Sequence, residues 1–209
     1  MTVTQLGRPV GADGEQTRRR IITAAMRCVA EVGYSQATIR EIARAAGMTS
    51  GSLYHYFPNK SELLSATGAQ VEEIVLPRLR AAAAESGDVV DRLVAVLDES
   101  GRLTRDYPYL TPFLRALRAG STARLRRGGP QYPGSKALHD VVSEIVADAK
   151  RQGRLAPKTD IQSTVAAICA LTRGLTEQSD RLRPQAHEAA LQAAKKLIRG
   201  TLFTTCEKH

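Results

Sequence analysis

Apolar residues recur along this chain at the three-and-four spacing of amphipathic helices. Across residues 17–32, Ile21, Ile22, Ala25, Met26, Val29 and Val32 share one face, and Gly33 closes the segment. Ile39, Ile42, Ala43 and Ala46 then fall at i, i+3, i+4 and i+7, with Arg40, Glu41 and Arg44 opposite. Thr38 ahead of that run and Glu41 three residues later predict a capping box, worth about 1 kcal/mol. Gly47 supplies the left-handed stop that a helix C-terminus favours. Met48 and Leu53 carry the apolar contact into a second short helix over residues 49–56, and the small Ala43 lets the two helices cross closely. Two short helices joined by a glycine turn predict a helix-turn-helix, an element that places side chains in the DNA major groove.

The same periodicity organises the rest of the chain. Asn59 and Glu62 cap a long connector helix over residues 60–84, which Pro77 is expected to kink or break. Its start belongs with the helix-turn-helix, while Val71, Ile74, Val75 and Leu79 pack in a second domain. Residues 88–106 form a helix with Val90, Leu93, Val94, Leu97 and Gly101 inward. A shorter apolar helix begins at Pro108, carrying Tyr109, Leu110, Phe113, Leu114 and Leu117. Residues 120–134 read as a basic, Gly- and Pro-bearing disordered loop. Ser135 caps a helix with Leu138, Val141, Val142, Ile145 and Val146 inward, which ends before Gly153.

The last two helices, 160–182 and 184–203, are apolar on two faces. In the first, Ile161, Val165, Ile168, Leu171 and Leu175 line one face and Ser163, Ala167, Ala170 and Gly174 another. In the second, Ala186, Ala190, Ala193 and Leu197 lie beside Leu191, Ala194, Ile198 and Leu202. A helix apolar on two faces packs against its own core and against a partner. The expectation is a homodimer joined through these two helices.

In the second helix of the helix-turn-helix, Met48, Leu53 and either Tyr56 or Phe57 form the inner face. Thr49, Ser50, Gly51, Tyr54 and His55 face outward, and none is a carboxylate. Gly33-Tyr34, Thr38-Ile39, Ile42-Ala43, Ala46-Gly47-Met48, Gly51 to Phe57 and Lys60-Ser61-Glu62-Leu63-Leu64 together resemble the DNA-binding signature of the tetracycline-repressor (TetR) family of bacterial transcription regulators. The likeness is continuous over residues 18–64; beyond Leu64 it is one of layout. It implies an all-α fold: a three-helix DNA-binding head (17–64) and a helical ligand-binding and dimerisation domain (65–207), preceded by residues 1–16, which Gly7, Pro9, Gly11 and Gly14 and little hydrophobic content mark as a flexible leader. It also implies a four-helix bundle across a two-fold axis. The expected DNA-binding residues are Thr38, Arg40, Thr49, Ser50, Gly51, Ser52, Tyr54, His55 and Lys60, on a palindromic double-stranded operator. Tyr54 and Lys60 are read as phosphate contacts, and Thr49, Ser50 and Ser52 as setting preference between operators.

Composition narrows the remaining choices. A 209-residue chain with 43% hydrophobic residues can bury one large core or two modest ones. No apolar run approaches the roughly 20 residues of a membrane span, and the start lacks a signal-peptide core, so a cytoplasmic protein without membrane contact is expected. A formal charge of +9 and a pI near 9.8 favour a polyanionic partner. Much of that charge lies away from the helix-turn-helix, at Arg115, Arg118, Arg124, Arg126, Arg127, Lys150, Arg151 and Arg154, and reads as solvated surface. Arg18 to Arg20 read either as phosphate or minor-groove contacts or as a solvated helix end. Cys28, Cys169 and Cys206 make neither a disulfide framework nor a metal motif, and Cys28 and Cys169 read as core. His55, His139, His187 and His209 show no ligand spacing.

No metal, cofactor or catalytic residue is therefore expected. No nucleophile elbow, phosphate loop or grouped carboxylates point to an enzyme. The helix-turn-helix joined to a non-enzymatic helical domain predicts a regulator whose second domain senses a signal or merely dimerises. With the TetR resemblance, the expectation is a repressor released from its operator by a small-molecule effector. Leu97, Tyr109, Phe113, Leu117, Cys169, Thr172 and Arg173 are candidate effector contacts, since they join apolar helix faces to a few polar groups. With 4% aromatic residues and no Trp, an aliphatic or acyl effector fits better than a flat drug. An architectural DNA binder without sequence preference and a protein-interaction module are the competing classes.

Overall fold

The structure is a computed structural model that describes residues 12–85, 87–120, 133–179 and 181–202. Among these residues it is all-helical, with nine helices: α1 (Ala12–Val32), α2 (Ile39–Ala45), α3 (Ser50–Tyr54), α4 (Lys60–Ala84), α5 (Val89–Asp106), α6 (Leu110–Gly120), α7 (Pro133–Arg151), α8 (Ile161–Gln178) and α9 (Pro184–Ile198). The helices α1 to α3 and the start of α4 form the head. The rest of α4 joins α5 to α9 in the body.

Local signals explain most boundaries. Thr38, Asn59, Asp88 and Asp160 each accept hydrogen bonds from backbone N–H groups of the following first turn, so α2, α4, α5 and α8 start where capping residues stand. The α2 end is a paired-bond glycine cap: Gly47 N–H donates to Arg44 O at 3.1 Å and Met48 N–H to Ala43 O at 3.0 Å, with Gly47 at φ +66°. Gly200 does the same after α9, at φ +69°.

Several boundaries depart from the periodicity. Residues 12–16, expected in a leader, are the first turns of α1. The helix α7 begins at Pro133 rather than after Ser135, since proline suits the first helical position, where its missing N–H costs nothing. Residues 121–132 of the expected loop lie outside the described residues. α8 stops at Gln178 and α9 at Ile198, short of 182 and 203, and Phe203 is also outside the described residues. Pro77 does not break α4, which continues to Ala84. Pro77 is exposed, so water can bond the carbonyl that its missing N–H leaves, while Val71, Val75, Leu79, Ala82 and Ala83 stay buried on both sides of it.

One hydrophobic core runs through both parts. It links Ile21, Ile22, Val29, Ile42, Leu53 and Phe57 of the head to Val71, Val75 and Leu79 of α4, and these to Phe113, Leu117, Val142 and Ile145 of the body. The helix α5 is enclosed by α4, α7, α8 and α9, so it buries Glu99, Ser100 and Thr104 beyond the single apolar stripe that its spacing suggests. Glu99 is held there by Arg78 of α4 at 2.5 Å and by Arg102 at 2.5 Å, and Arg78 also reaches Asp106 at 2.7 Å. A small separate cluster of Leu97, Leu175, Leu191 and Ala194 seats α9, with ion pairs Lys195–Asp98 at 2.5 Å and Arg199–Asp91 at 2.9 Å.

Candidate nucleic-acid interface and ligand cavity

The head presents α3 as its outermost feature. Leu53 is fully buried beneath it and Phe57 follows into the core, so Phe57 rather than the exposed Tyr56 completes the inner face. Thr49 Oγ1 caps α3 by accepting from Ser52 N–H at 3.1 Å, and it pairs with the Ser52 hydroxyl at 2.9 Å. These two hydroxyls shape α3 first; Ser50, Gly51, Tyr54 and His55 are left facing away from the core. Tyr54 is 52% exposed. At Gly51 a Cβ would meet nothing nearer than Thr49 Oγ1 at 3.8 Å, so internal packing does not require glycine there.

The expected capping box of α2 is present. Thr38 N–H and its hydroxyl both donate to Glu41 Oε2 at 2.9 Å, and Glu41 N–H donates to Thr38 Oγ1 at 3.2 Å. Those bonds, the backbone one foremost, hold the Glu41 carboxyl below its ordinary value of 4.5. Arg40 projects from α2 and is exposed.

Two basic residues have contacts that the sequence does not reveal. The Lys60 ammonium turns back onto the loop between α1 and α2, donating to Tyr34 O and to Ser35 O, the latter at 3.4 Å, and lying 4.9 Å from the centre of the Tyr34 ring. Desolvation there pushes it below its ordinary 10.5, against the opposing pull of Glu41. Arg18 lies 4.9 Å over the Phe57 ring, fastening α1 to the residue that follows α3. Lys60 was expected on a phosphate; in this structure its donors are on carbonyls.

In the body, a cavity of about 70 Å³ lies among α4, α5, α6, α7 and α8. Val75, Leu79, Leu103 and Leu138 make it apolar, Ser100, Thr104 and Thr111 add hydroxyls, and Arg118 and Arg173 add charge. Of the expected effector contacts, Thr172 and Arg173 line it. Leu97, Phe113, Leu117 and Cys169 are core residues that do not, because each points into a helix junction. Tyr109 is 42% exposed and lines a different groove, with Ile22 and Met26 of α1 and Ile74 of α4. That groove between head and body carries no sequence signature, since its walls come from segments far apart in the chain.

Arg118 was expected in solvent but is half-buried and paired with Glu177 of α8. Burial lowers its affinity for a proton, Glu177 raises it, and Arg173 and Arg115 lower it again. The other expected surface charges divide: Arg151 pairs with Asp148 and Arg154 with Asp88 at 2.6 Å, while Arg124, Arg126 and Arg127 lie outside the described residues. Cys28 and Cys169 are buried, and burial raises both thiols above their ordinary value. Cys206 and His209 are outside the described residues. Among the described residues no group of His, Cys, Asp and Glu is gathered for a metal, and no helix is long and apolar enough to cross a membrane.

Residues 21–67 match the group described as bacterial regulatory proteins, tetR family. The chain is 31% identical over 144 residues to the HTH-type transcriptional repressor Rv1474c of Mycobacterium tuberculosis, covering 62% of this chain and 73% of that protein. It is 41% identical over 85 residues to the HTH-type transcriptional regulator BetI of Escherichia coli, spanning 39% of this chain and 43% of BetI. The fold matches that of FadR from Bacillus subtilis, solved in complex with stearoyl-CoA, with a TM-score of 0.73 at 20% identity over 88% of this chain and 99% of that one.

Proposed function

Because the chain belongs to the tetR family of bacterial regulatory proteins, we propose that two copies bind one palindromic operator through α3 and that a small molecule in the body cavity releases them. The observation that carries this reading is the outward surface of α3. It offers hydroxyls, an imidazole and a phenol with no carboxylate, over a turn fixed by Leu53 and Phe57. In this reading Ser50 and His55 meet base edges, Gly51 lets the DNA backbone approach closely, and Tyr54 and Arg40 hold phosphates. Thr38, Thr49 and Ser52 set the shape of α2 and α3, and Lys60 serves the surface by holding the loop between α1 and α2.

Pairing follows from the body. Ala167, Ala170 and Gly174 of α8 and Ala186, Ala193 and Leu197 of α9 are exposed together, with Leu197 at 48%. Covering that small-residue surface with its own copy sets two heads for half-sites about 34 Å apart. An acyl-bearing effector suits the mostly aliphatic cavity, as the stearoyl-CoA in the FadR structure illustrates for that protein. The chain carries out no chemistry of its own and works in the cytoplasm.

Fluorescence anisotropy on the duplex upstream of its own gene, with scrambled duplex as competitor, tests this. Saturable binding at one dimer per palindrome, surviving excess scrambled DNA, supports the reading. Equal affinity for both duplexes, falling together with salt, would instead mark an architectural binder.

A further inference from the structure

If the body cavity holds the effector, the charges around it identify the class of effector. Val75, Leu79, Leu103 and Leu138 line it with apolar groups, and Arg118 and Arg173 bring two guanidiniums to the same lining. The Arg173 guanidinium meets no carboxylate among the described residues. Arg118 is paired with Glu177, yet both Arg173 and Arg115 stand close enough to oppose its charge. A guanidinium that lines an apolar cavity and has no carboxylate of its own there is a ready partner for an anion. The planar fork of arginine matches a carboxylate with two parallel bonds, which a thioether, alcohol or amine cannot reproduce.

The geometry points to an aliphatic carboxylic acid as the effector: Arg173 takes its carboxylate, which then competes with Glu177 for Arg118. This rests on the cavity being the effector site. Arg118 stands on α6 and Glu177 on α8, so the exchange unties these two helices. The present cavity of about 70 Å³ is far below the ~300–1,000 Å³ of ordinary ligand pockets. An acid must therefore part its walls, and the Arg118–Glu177 pair joins two of them. The helix α6 also shares the core with α1 through Phe113 and Leu117, which gives the untied helix a path to the head.

The test is calorimetric titration of the full chain with three probes of equal length: octanoate, octanol and octyltrimethylammonium. Octanoate should bind most tightly. Arg173→Gln should weaken octanoate about tenfold to a hundredfold, as expected for a lost charged hydrogen bond, and leave octanol unchanged; Arg173→Lys should recover part of the loss. Glu177→Gln should tighten octanoate, since the Glu177 carboxylate no longer competes for Arg118. Equal binding of octanol and octanoate would overturn the acid but leave the cavity as an apolar effector site. A preference for the cation, or a Glu177→Gln variant with unchanged octanoate affinity, would overturn the exchange. Failure of all three probes to bind would overturn both the acid and the cavity. Unchanged melting of each unliganded variant separates loss of binding from loss of fold.

Discussion

Replacing Lys60 with methionine separates two roles that one ammonium cannot fill at once. Methionine keeps the aliphatic stem but removes the donors to Tyr34 O and Ser35 O and the charge 4.9 Å from the Tyr34 ring. A charged hydrogen bond contributes about 1.5–3 kcal/mol and an exposed cation–π contact about 0.5–1 kcal/mol. Part of this is returned because an ammonium no longer has to be desolvated, which is the effect that lowers its pKa. The expected net loss is about 2 kcal/mol, or about 4–8 °C in melting temperature for a chain of this size. Calorimetry measures that shift. Anisotropy at several salt concentrations measures the second quantity, the slope of log affinity against log salt. With Lys60 acting as a strut, the slope stays unchanged while affinity drops moderately. An unaltered melting temperature together with a slope shallower by about 0.9 per chain would mean that the ammonium sits on a phosphate in the complex, and would refute the strut.

Four further outcomes are expected. Tyr54→Ala should leave stability within about 0.5 kcal/mol, since the ring is exposed, while weakening binding to every duplex alike in the anisotropy assay. Gly47→Ala meets no atom within 4 Å, so its cost is only that of φ +66°, about 1 kcal/mol in a denaturant titration; a loss above about 3 kcal/mol would point to a clash the structure lacks. Glu99→Ala removes the carboxylate that holds both Arg78 and Arg102, leaving Arg78 its exposed partner Asp106 and Arg102 half in solvent, and should cost about 1–2 kcal/mol by the same titration, whereas exposed Arg80→Ala should cost little. Asp88, Asp148 and Asp160 are held below their ordinary 3.8, first by Arg154, Arg92 and Ser163 respectively. Their contribution is therefore complete above that value and drains away as pH falls through the lower folded values, so circular dichroism should show acid unfolding below about pH 4.

The head was legible because its instructions are local. Thr38 and Glu41 are three residues apart, Gly47 ends α2 by its own backbone, and Leu53 lies four residues beyond Thr49. The choice between Tyr56 and Phe57, and the contacts of Lys60 and Arg18, needed the packed head. The body hides its logic in pairs that are distant in the chain. Glu99 reads as surface until Arg78 arrives from 21 residues earlier, and Arg118 reads as a solvated charge until Glu177 meets it from 59 residues later. Tyr109 has the composition of a pocket residue, yet the turn before α6 sends it toward α1. A single-helix periodicity cannot register that α5 is surrounded by other helices, nor that an exposed proline leaves α4 continuous.

The shared core of head and body has a consequence for how damage spreads. With Ile21, Leu53 and Phe57 in one apolar cluster with Val75, Phe113 and Ile145, the two parts have no seam along which either could melt alone. Heating should give a single transition, and the slowest-exchanging amides should be divided between α1 and α7 rather than confined to one of them. Substitutions that silence DNA binding will then be scattered through the body as often as the head. The reader of DNA is only as rigid as the helices farthest from it.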